Sequence, residues 1–209
     1  SKSNAQINFG EKATGALQNG VTSFTFSNED AAKLSKEAVR KMDSTNVVAS
    51  AKDGYTLRLN RVFGKHVNEN GLALNYKVYL TKDVNAFATA DGSVRVYSGL
   101  MDIMDDNQLL AVIGHEIGHV ANEDSKDAMK AALRKSALIG AVSSQSDKVA
   151  KLTDSQLGQI GSAMLDSKHS RKQEAEADTY SYDFMKKHSY DVNAVESAFS
   201  LLASQSDGA

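Results

Sequence analysis

The segment His115-Glu116-Ile117-Gly118-His119 contains the residues whose types and spacing point most directly to chemistry. If the segment is helical, residues four apart lie on one face, so His115 and His119 present two imidazoles to one point. Neutral imidazole nitrogen is a good zinc ligand, with bonds of about 2.0–2.1 Å. The motif is among the more specific short patterns. It therefore predicts two metal ligands within one helical turn.

Glu116 follows the first histidine and lies beside the face that carries both ligands. From this position it can reach a water on the metal without binding the metal itself. Zinc lowers the pKa of such a water toward about 7. Glu116 can then accept the proton as the water attacks a carbonyl and pass it to the leaving amine. The motif thus predicts hydrolysis of peptide bonds.

The neighbours of the motif favour a metal site over a chance pair of surface histidines. They are apolar over more than a helical turn before the motif, and apolar residues also lie within it and directly after it: Leu109, Leu110, Ala111, Val112, Ile113, Ile117 and Val120. A buried motif of this kind without a metal would leave polar groups unpaired, which costs free energy.

Zinc needs a third protein ligand, and the chain contains no cysteine, so the ligand must be His, Asp or Glu. One known class places Gly and a third His after the motif, but Asn122 and Ser125 occupy those positions and exclude that class. Glu174 and Asp178 are four apart on a predicted helix and share a face. We expect Glu174 to bind zinc and Asp178 to accept a hydrogen bond from a ligating histidine. By spacing alone, a solvated charged face is an equal alternative.

The motif His115-Glu116-x-x-His119, followed by Glu174-x-x-Ala177-Asp178, resembles the HtpX and CAAX-prenyl-endopeptidase family of zinc metallopeptidases. Two other stretches carry the same likeness, Asn85-Ala86-Phe87-Ala88 and Val96-Tyr97-Ser98-Gly99-Leu100-Met101. The similarity covers roughly 75–205 and, more weakly, 28–74. It is most marked to the periplasmic branch that includes BepA and LoiP.

The resemblance implies one zinc ion held by His115, His119 and Glu174, with Glu116 as the base. It implies a minimal zincin of the gluzincin type, with the active-site helix packed under a short sheet. The edge strand, with Asn85, Ala86, Phe87 and Ala88, would bind extended substrate through main-chain hydrogen bonds. It also suggests unfolded or misassembled proteins as substrates, and partners in envelope assembly.

Donors for the oxyanion of the reaction are expected near the third ligand, where His169, Arg171, Tyr180 and Tyr182 lie. His169 and Arg171 are the candidates for a catalytic role, but pairing with a carboxylate or exposure to solvent is an alternative for both. Elsewhere, His66 and His188 have no partners at ligand spacing and are predicted to be surface residues.

The elements that must position these residues form an α+β, mainly helical pattern. Apolar alternation and the Asp91-Gly92 turn signal predict a small antiparallel sheet within 75–97. Helices are predicted at 28–42, 53–67, 100–104, 109–120, 125–145, from the Thr153-Asp154 cap onward, 170–188 and 191–204. We expect residues 1–26 to be an N-terminal extension and 27–209 a single catalytic domain.

The composition of the 209 residues is ordinary for a globular protein, with 41% apolar and 24% charged residues. A net charge of −2 gives no bulk attraction for nucleic acid. The chain does not begin with Met, and we interpret it as a truncated or a mature fragment, which is compatible with the removal of a leader. The predicted location is the bacterial periplasm, with a lipoprotein anchor to the outer membrane in the precursor; the cytoplasm is the alternative.

A second function class is compatible with the same residues. In this alternative the metal stabilises a latent chaperone or client-binding module that rarely cleaves its clients. A loop that covers the active site would favour this class, and the sequence does not show whether such a loop exists.

Overall fold

The computed structural model describes residues 25–142 and 152–207 of the chain, and helices predominate there. The helices are α1 (Asn28–Thr45), α2 (Gly54–Phe63), α3 (Ser98–Ile103), α4 (Asp106–Ala121), α5 (Asp124–Lys135), α6 (Ile139–Val142), α7 (Asp154–Asp166), α8 (Arg171–Lys187) and α9 (Asn193–Asp207). The strands are β1 (Asn68–Glu69), β2 (Leu72–Ala73), β3 (Asn75–Tyr79), β4 (Ala86–Ala88) and β5 (Ser93–Tyr97). The predicted mainly helical α+β class is confirmed.

The chain divides into two compact units. Of the described residues, one unit takes in 25–41, 128–142 and 152–167, and includes α7. A capping box at Thr153 starts α7, as predicted, because the Thr153 side chain accepts from the backbone of Gln156. The single domain over 27–209 stays a prediction, and the expected extension 1–26 lies almost wholly outside the described residues.

The other unit comprises Met42–Asp127 and the residues from Lys168 onward, and it contains the sheets, α4, α8 and α9. Its three-stranded sheet has the order β3-β5-β4. β4 and β5 are antiparallel and joined by the predicted turn, where Gly92 has a φ of 89°. An ideal Cβ on Gly92 would lie 2.0 Å from the carbonyl oxygen of Ala73, so only glycine fits this turn.

The prediction that the whole sheet is antiparallel is wrong, because β3 and β5 run parallel. β5 carries the buried Val94 and Val96 and takes the central position. The chain therefore passes from β3 to the far side of β5, forms β4, and only then returns through the hairpin. An alternating apolar pattern shows which residues are buried, but it does not show which strands are neighbours.

A buried arginine at the centre of this sheet is paired with the end of α1. Arg95 is 2% exposed, and its Nε and Nη2 donate to the two carboxylate oxygens of Asp43 at 2.9 and 3.0 Å. Its Nη1 donates to the carbonyl oxygens of Asn75 and Val94. Because a buried guanidinium is stable only when paired, Asp43 fixes residues near the end of α1 to the sheet.

Two helices are shorter than predicted. The expected helix over 53–67 ends at Phe63, and the chain continues into the small β1–β2 hairpin, where Asn70 and Gly71 have positive φ. The expected helix over 125–145 ends at Lys135, because Ala137 has a φ of 58° and the following amide bonds back to Leu133. This left-handed residue closes the helix before α6 begins.

Among the described residues, the structure contains no helix that is both long and apolar enough to cross a membrane.

Candidate metal centre

Helix α4 carries the His-Glu-x-x-His motif and is fixed at its start by a capping box. The side chain of Asp105 accepts from the backbone of Gln108, whose own side chain accepts from the Asp105 amide. The helix is buried along most of its length, and His115 and His119 are only 4% and 3% exposed. Their burial confirms that the motif does not lie on a solvated surface.

Two glycines let helix α8 approach α4 closely. An ideal Cβ at Gly118 would lie 2.8 Å from Cβ of Tyr180, and one at Gly114 would lie 3.0 Å from the Phe184 ring. Real Cβ contacts are essentially never as short as the one at Gly118, so this position requires glycine at the present helix separation, and at Gly114 the Phe184 ring would have to shift. The glycines follow the i, i+4 spacing of the histidines and lie next to them in the sequence. This close packing brings α8 within reach of the histidine face.

Glu174 lies in the first turn of α8 and meets both histidines. Its Oε1 lies 2.9 Å from Nε2 of His115 and 3.3 Å from Nε2 of His119. The two Nε2 atoms are 3.1 Å apart. Thus three ligand atoms from two helices converge on one point, although His115 and Glu174 are 59 residues apart in the sequence.

The geometry of this trio fits a zinc ion. Ligands bonded at about 2.0–2.1 Å to a tetrahedral metal lie about 3.3 Å from one another. The three separations of 2.9, 3.1 and 3.3 Å are close to that value. Two imidazoles and one carboxylate are also a donor set that zinc accepts, and a cation would compensate for placing these acceptors together.

Each histidine has a carboxylate at its other ring nitrogen. Asp178 Oδ1 lies 2.9 Å from Nδ1 of His115, but this Nδ1 forms no hydrogen bond, so the two groups are close without the hydrogen bond that we expected. Asp124 Oδ2 lies 2.8 Å from Nδ1 of His119. A carboxylate at Nδ1 favours the tautomer whose Nε2 lone pair is free for a metal.

Asp124, which is only 3% exposed, was not predicted from the sequence as part of the site. It is the first residue of α5 and lies five residues after His119, so no helical periodicity relates the two. A turn with a φ of 63° at Glu123 brings it back to the histidine. The only sequence signal that could have indicated Asp124 was its acidic side chain, shortly after the end of α4, the helix that carries the motif.

Glu116 is half-buried, and burial raises its pKa to about 7, with Glu174 acting in the same direction and His119 in the opposite one. Burial and the neighbouring His119 lower the pKa of His115, which favours the neutral, metal-binding imidazole. A cation held by the trio would favour the ionised, proton-accepting form of Glu116. A base with a pKa near neutrality suits proton transfer at physiological pH.

The two candidate oxyanion donors differ in their positions. The ring of His169 stacks on His119, with centroids 4.0 Å apart and planes inclined by 22°. Arg171 is exposed at the first position of α8. The catalytic role expected of either residue stays a prediction, but His169 is the one in contact with a ligand of the trio.

The predicted substrate strand is the edge strand of the three-stranded sheet. Ala86, Phe87 and Ala88 form β4, and Asn85 directly precedes it. The amide of Tyr97 donates to Asn85 and that of Thr89 donates to Ser93, so alternate residues of β4 bond to β5. The N–H and C=O groups of Ala86 and Ala88 therefore point away from β5, toward the free edge.

The prediction that His66 and His188 are isolated surface residues is wrong. His66 is 0% exposed, and its ring centroid lies 4.5 Å from that of His188. Since 122 residues separate them in sequence, no local spacing rule relates the two.

Comparison with known proteins finds relatives over most of the chain. Residues 56–205 match the family described as Peptidase family M48. Metalloprotease LoiP of Escherichia coli strain K12 is 42% identical over 200 residues, which cover 94% of this chain and 79% of LoiP. Metalloprotease YcaL of the same strain is 41% identical over 199 residues, or 92% of this chain and 78% of YcaL. Protease HtpX of Nitrosococcus oceani is 31% identical over 96 residues, 44% of this chain and 32% of HtpX.

Proposed function

The chain belongs to peptidase family M48 and is a metalloprotease, and we propose that it is a zinc-dependent endopeptidase whose metal is held by His115, His119 and Glu174. The membership agrees with the resemblance drawn from the sequence motifs. As a protease it acts on polypeptides. The observation that carries the zinc proposal is the convergence of three ligand atoms, all 2.9–3.3 Å apart, beside the carboxylate of Glu116.

In this proposal the fold is a minimal zincin, with the motif helix and the distal helix α8 supplying the ligands. Zinc in such a site supplies polarisation of the scissile carbonyl and activation of water. Asp178 and Asp124 orient His115 and His119 through their Nδ1 atoms. Glu116 accepts the proton of the attacking water and delivers it to the leaving nitrogen.

We further propose that extended substrate adds to the free edge of β4, which packs against α4. The outward main-chain groups of Ala86 and Ala88 would bond the substrate, although the Ala86 amide also donates to the side chain of Asn85 at 2.8 Å. Ala88→Pro removes one outward donor without removing a bond to β5. It should raise the KM for a peptide while zinc content stays the same; an unchanged KM would exclude this binding mode.

The proposed substrates are unfolded or misassembled proteins, and the proposed setting is the bacterial envelope. The resemblance to the periplasmic branch of the family supports this setting. An outer-membrane lipoprotein anchor is the finer form of the same proposal. Fractionation of cells that express the complete natural gene would test it, since recovery in the cytoplasmic fraction would contradict an envelope location.

The test of catalysis is cleavage of casein by the wild type and by Glu116→Gln. Glutamine keeps the shape of the side chain but cannot accept the proton, so we expect zinc to be retained and the rate to fall by at least 10²-fold. Retained cleavage in the mutant would exclude Glu116 as the base. Zinc without cleavage in the wild type would instead favour the latent client-binding module.

A further inference from the structure

A second trio of ligand atoms lies at the opposite end of α8 from Glu174. His66 follows α2, Glu69 lies in β1, and His188 directly follows the last residue of α8. His66 and Glu69 are 0% and 6% exposed, and the His188 side chain is 22% exposed. Their ligand atoms all lie within 4.8 Å of one another.

Two of the three separations in this trio match those of a metal site, and the third, between the ligand nitrogens of His66 and His188, is within 4.8 Å. Glu69 Oε2 lies 3.2 Å from Nδ1 of His66 and 3.2 Å from Nε2 of His188. These distances fall within the 2.9–3.3 Å range found between the ligand atoms of His115, His119 and Glu174. They are also close to the roughly 3.3 Å expected between ligands of a tetrahedral zinc. The donor set, two imidazoles and one carboxylate, is the same.

The surroundings hold the ring of His66 in an orientation that suits a ligand. The hydroxyl of Tyr190 lies 2.6 Å from Nε2 of His66, and it can accept the N–H of the tautomer whose Nδ1 lone pair faces Glu69. Metal-bound histidines usually donate their second ring nitrogen to such a partner. The ring of Phe184 lies 5.0 Å from that of His66 and shields one side of the cluster.

The two lysines near the cluster do not prevent a cation from binding there. Lys187 Nζ lies 3.9 Å from Glu69 Oε1, but its side chain is 66% exposed and can turn to solvent. Lys65 lies over the ring of Tyr190, 5.3 Å from the centroid. The carboxylate of Glu69 itself is buried against both histidines, where a divalent ion would stabilise it more than a neutral imidazole can.

We propose that His66, Glu69 and His188 form a second zinc site, separate from the one that contains His115. It joins the segment between α2 and β1 to the C-terminal end of α8, the helix whose first turn carries Glu174. With three protein ligands, the fourth position is left to water. The bound ion is structural in this proposal, because it limits movement of α8 at the end remote from the reaction.

Zinc counting on variants of the whole chain tests the proposal. After equilibration with zinc and removal of the excess, the wild type should hold two ions per chain. His188→Ala and Glu174→Ala should each hold one, and the double variant none. Circular dichroism should show an unchanged helix content, and His188→Gln, which preserves volume, guards against a folding artefact.

These variants distinguish the proposal of a second zinc site from the proposal of the catalytic zinc site. A wild type with one ion that Glu174→Ala removes and His188→Ala retains would overturn the second site alone. A wild type with one ion that only His188→Ala removes would support the second site and contradict the catalytic one.

The zinc affinity of Tyr190→Phe distinguishes a metal site from a cluster that is held only by hydrogen bonds and binds no metal. In the Glu174→Ala background, this variant should weaken zinc binding at the remaining site about 10–100-fold, the loss typical for a partner of a ligating histidine. Zinc should also raise the melting temperature of Glu174→Ala, but not that of the double variant. Equal melting temperatures with and without zinc in both proteins would overturn the structural role.

Discussion

Asp124 and Asp178 approach the two histidines of the motif from different helices, but only Asp124 is hydrogen-bonded to its histidine. Each carboxylate lies 2.8–2.9 Å from an Nδ1 atom, and each comes from outside α4. Asp124 is buried, whereas the side chain of Asp178 is 50% exposed. Because a buried carboxylate interacts more strongly than a solvated one, Asp124 should contribute more to the orientation of its ligand.

Asp124→Asn should therefore weaken zinc binding about 10–100-fold, and Asp178→Asn should weaken it less. The amide keeps the shape of the side chain but loses the charge that stabilises the imidazole. Competition with a chromophoric chelator would measure the affinities. Asp127→Asn, an exposed acid in the same first turn of α5, is the matched control and should bind zinc like the wild type.

A result in which Asp124→Asn and Asp127→Asn bind zinc equally well would show that Asp124 has no part in positioning His119. Loss of helix content in Asp124→Asn would instead assign it a role in folding.

At the residue scale, the sequence predicted those residues that a fixed spacing relates. His115, Glu116 and His119 lie on one helical turn, so helical geometry was enough to group them. The spacing placed Glu174 and Asp178 on one face of another helix, but their assignment to the metal site came from the resemblance to the family. Asp124 and the His66–His188 pair depend on a turn and on tertiary packing. No periodicity predicts such contacts, and a single chain gives no covariation from which to infer them.

At the scale of elements, the contact between α4 and α8 determines where Glu174 lies. Gly118 faces Tyr180 at a separation that admits no Cβ, and a Cβ at Gly114 would fit only if the Phe184 ring shifted. The same helix pair carries every residue of the proposed catalytic trio. A small change in helix separation should therefore change the metal geometry directly.

Gly118→Ala should displace α8, lower the melting temperature and weaken zinc binding. The new Cβ would lie 2.8 Å from the Cβ of Tyr180, which is not the mobile end of a side chain. Overpacking of this kind costs about 1–3 kcal/mol. Thermal unfolding and zinc competition would measure both effects.

Gly158→Ala is the control, since its Cβ would meet only the Lys41 side chain at 3.9 Å, inside helix α7. There the higher helix propensity of alanine should stabilise the protein by up to about 1 kcal/mol. Unfolding at the same temperature in both variants would show that the α4–α8 contact is not as tight as described.

Elements with a local signal were predicted well, and elements that depend on distant pairing were not. The cap of α7 and the Asp91-Gly92 turn are local. The parallel pairing of β3 with β5 depends on which strand is central, which is a tertiary property. The Asn70-Gly71 turn is different, because this hairpin signal was present in the sequence just after the expected helix 53–67 and was overlooked.

At the scale of the molecule, the buried pair of Arg95 and Asp43 links stability to pH. Partial burial alone would raise the pKa of Asp43, but hydrogen bonds from Arg95 and Tyr79 outweigh it and hold the pKa below its ordinary value. Since the folded pKa is the lower one, the carboxylate stabilises the fold above the unfolded pKa of about 3.9. That stabilisation is lost as the pH falls through the folded value.

Asp43→Asn should reduce the free energy of unfolding at pH 7 by about 3–5 kcal/mol, because Arg95 stays buried without its counter-charge. Below about pH 4 the difference from the wild type should shrink, since the wild type loses the same charge. Urea unfolding at several pH values would measure this. Glu37→Gln, which removes an exposed partner of Arg40, should have no measurable effect, and equal losses in both variants would contradict the buried pair.

The central claim is that cleavage of polypeptides depends on zinc held by His115, His119 and Glu174. The most direct measurement is casein cleavage by the wild type before metal removal, after chelation and dialysis, and after zinc is returned, with bound zinc determined at each stage. We predict that cleavage disappears with the metal, returns with zinc in the wild type, and does not return in Glu174→Ala. Full cleavage by protein without bound metal, or by Glu174→Ala at the wild-type rate, would contradict the claim.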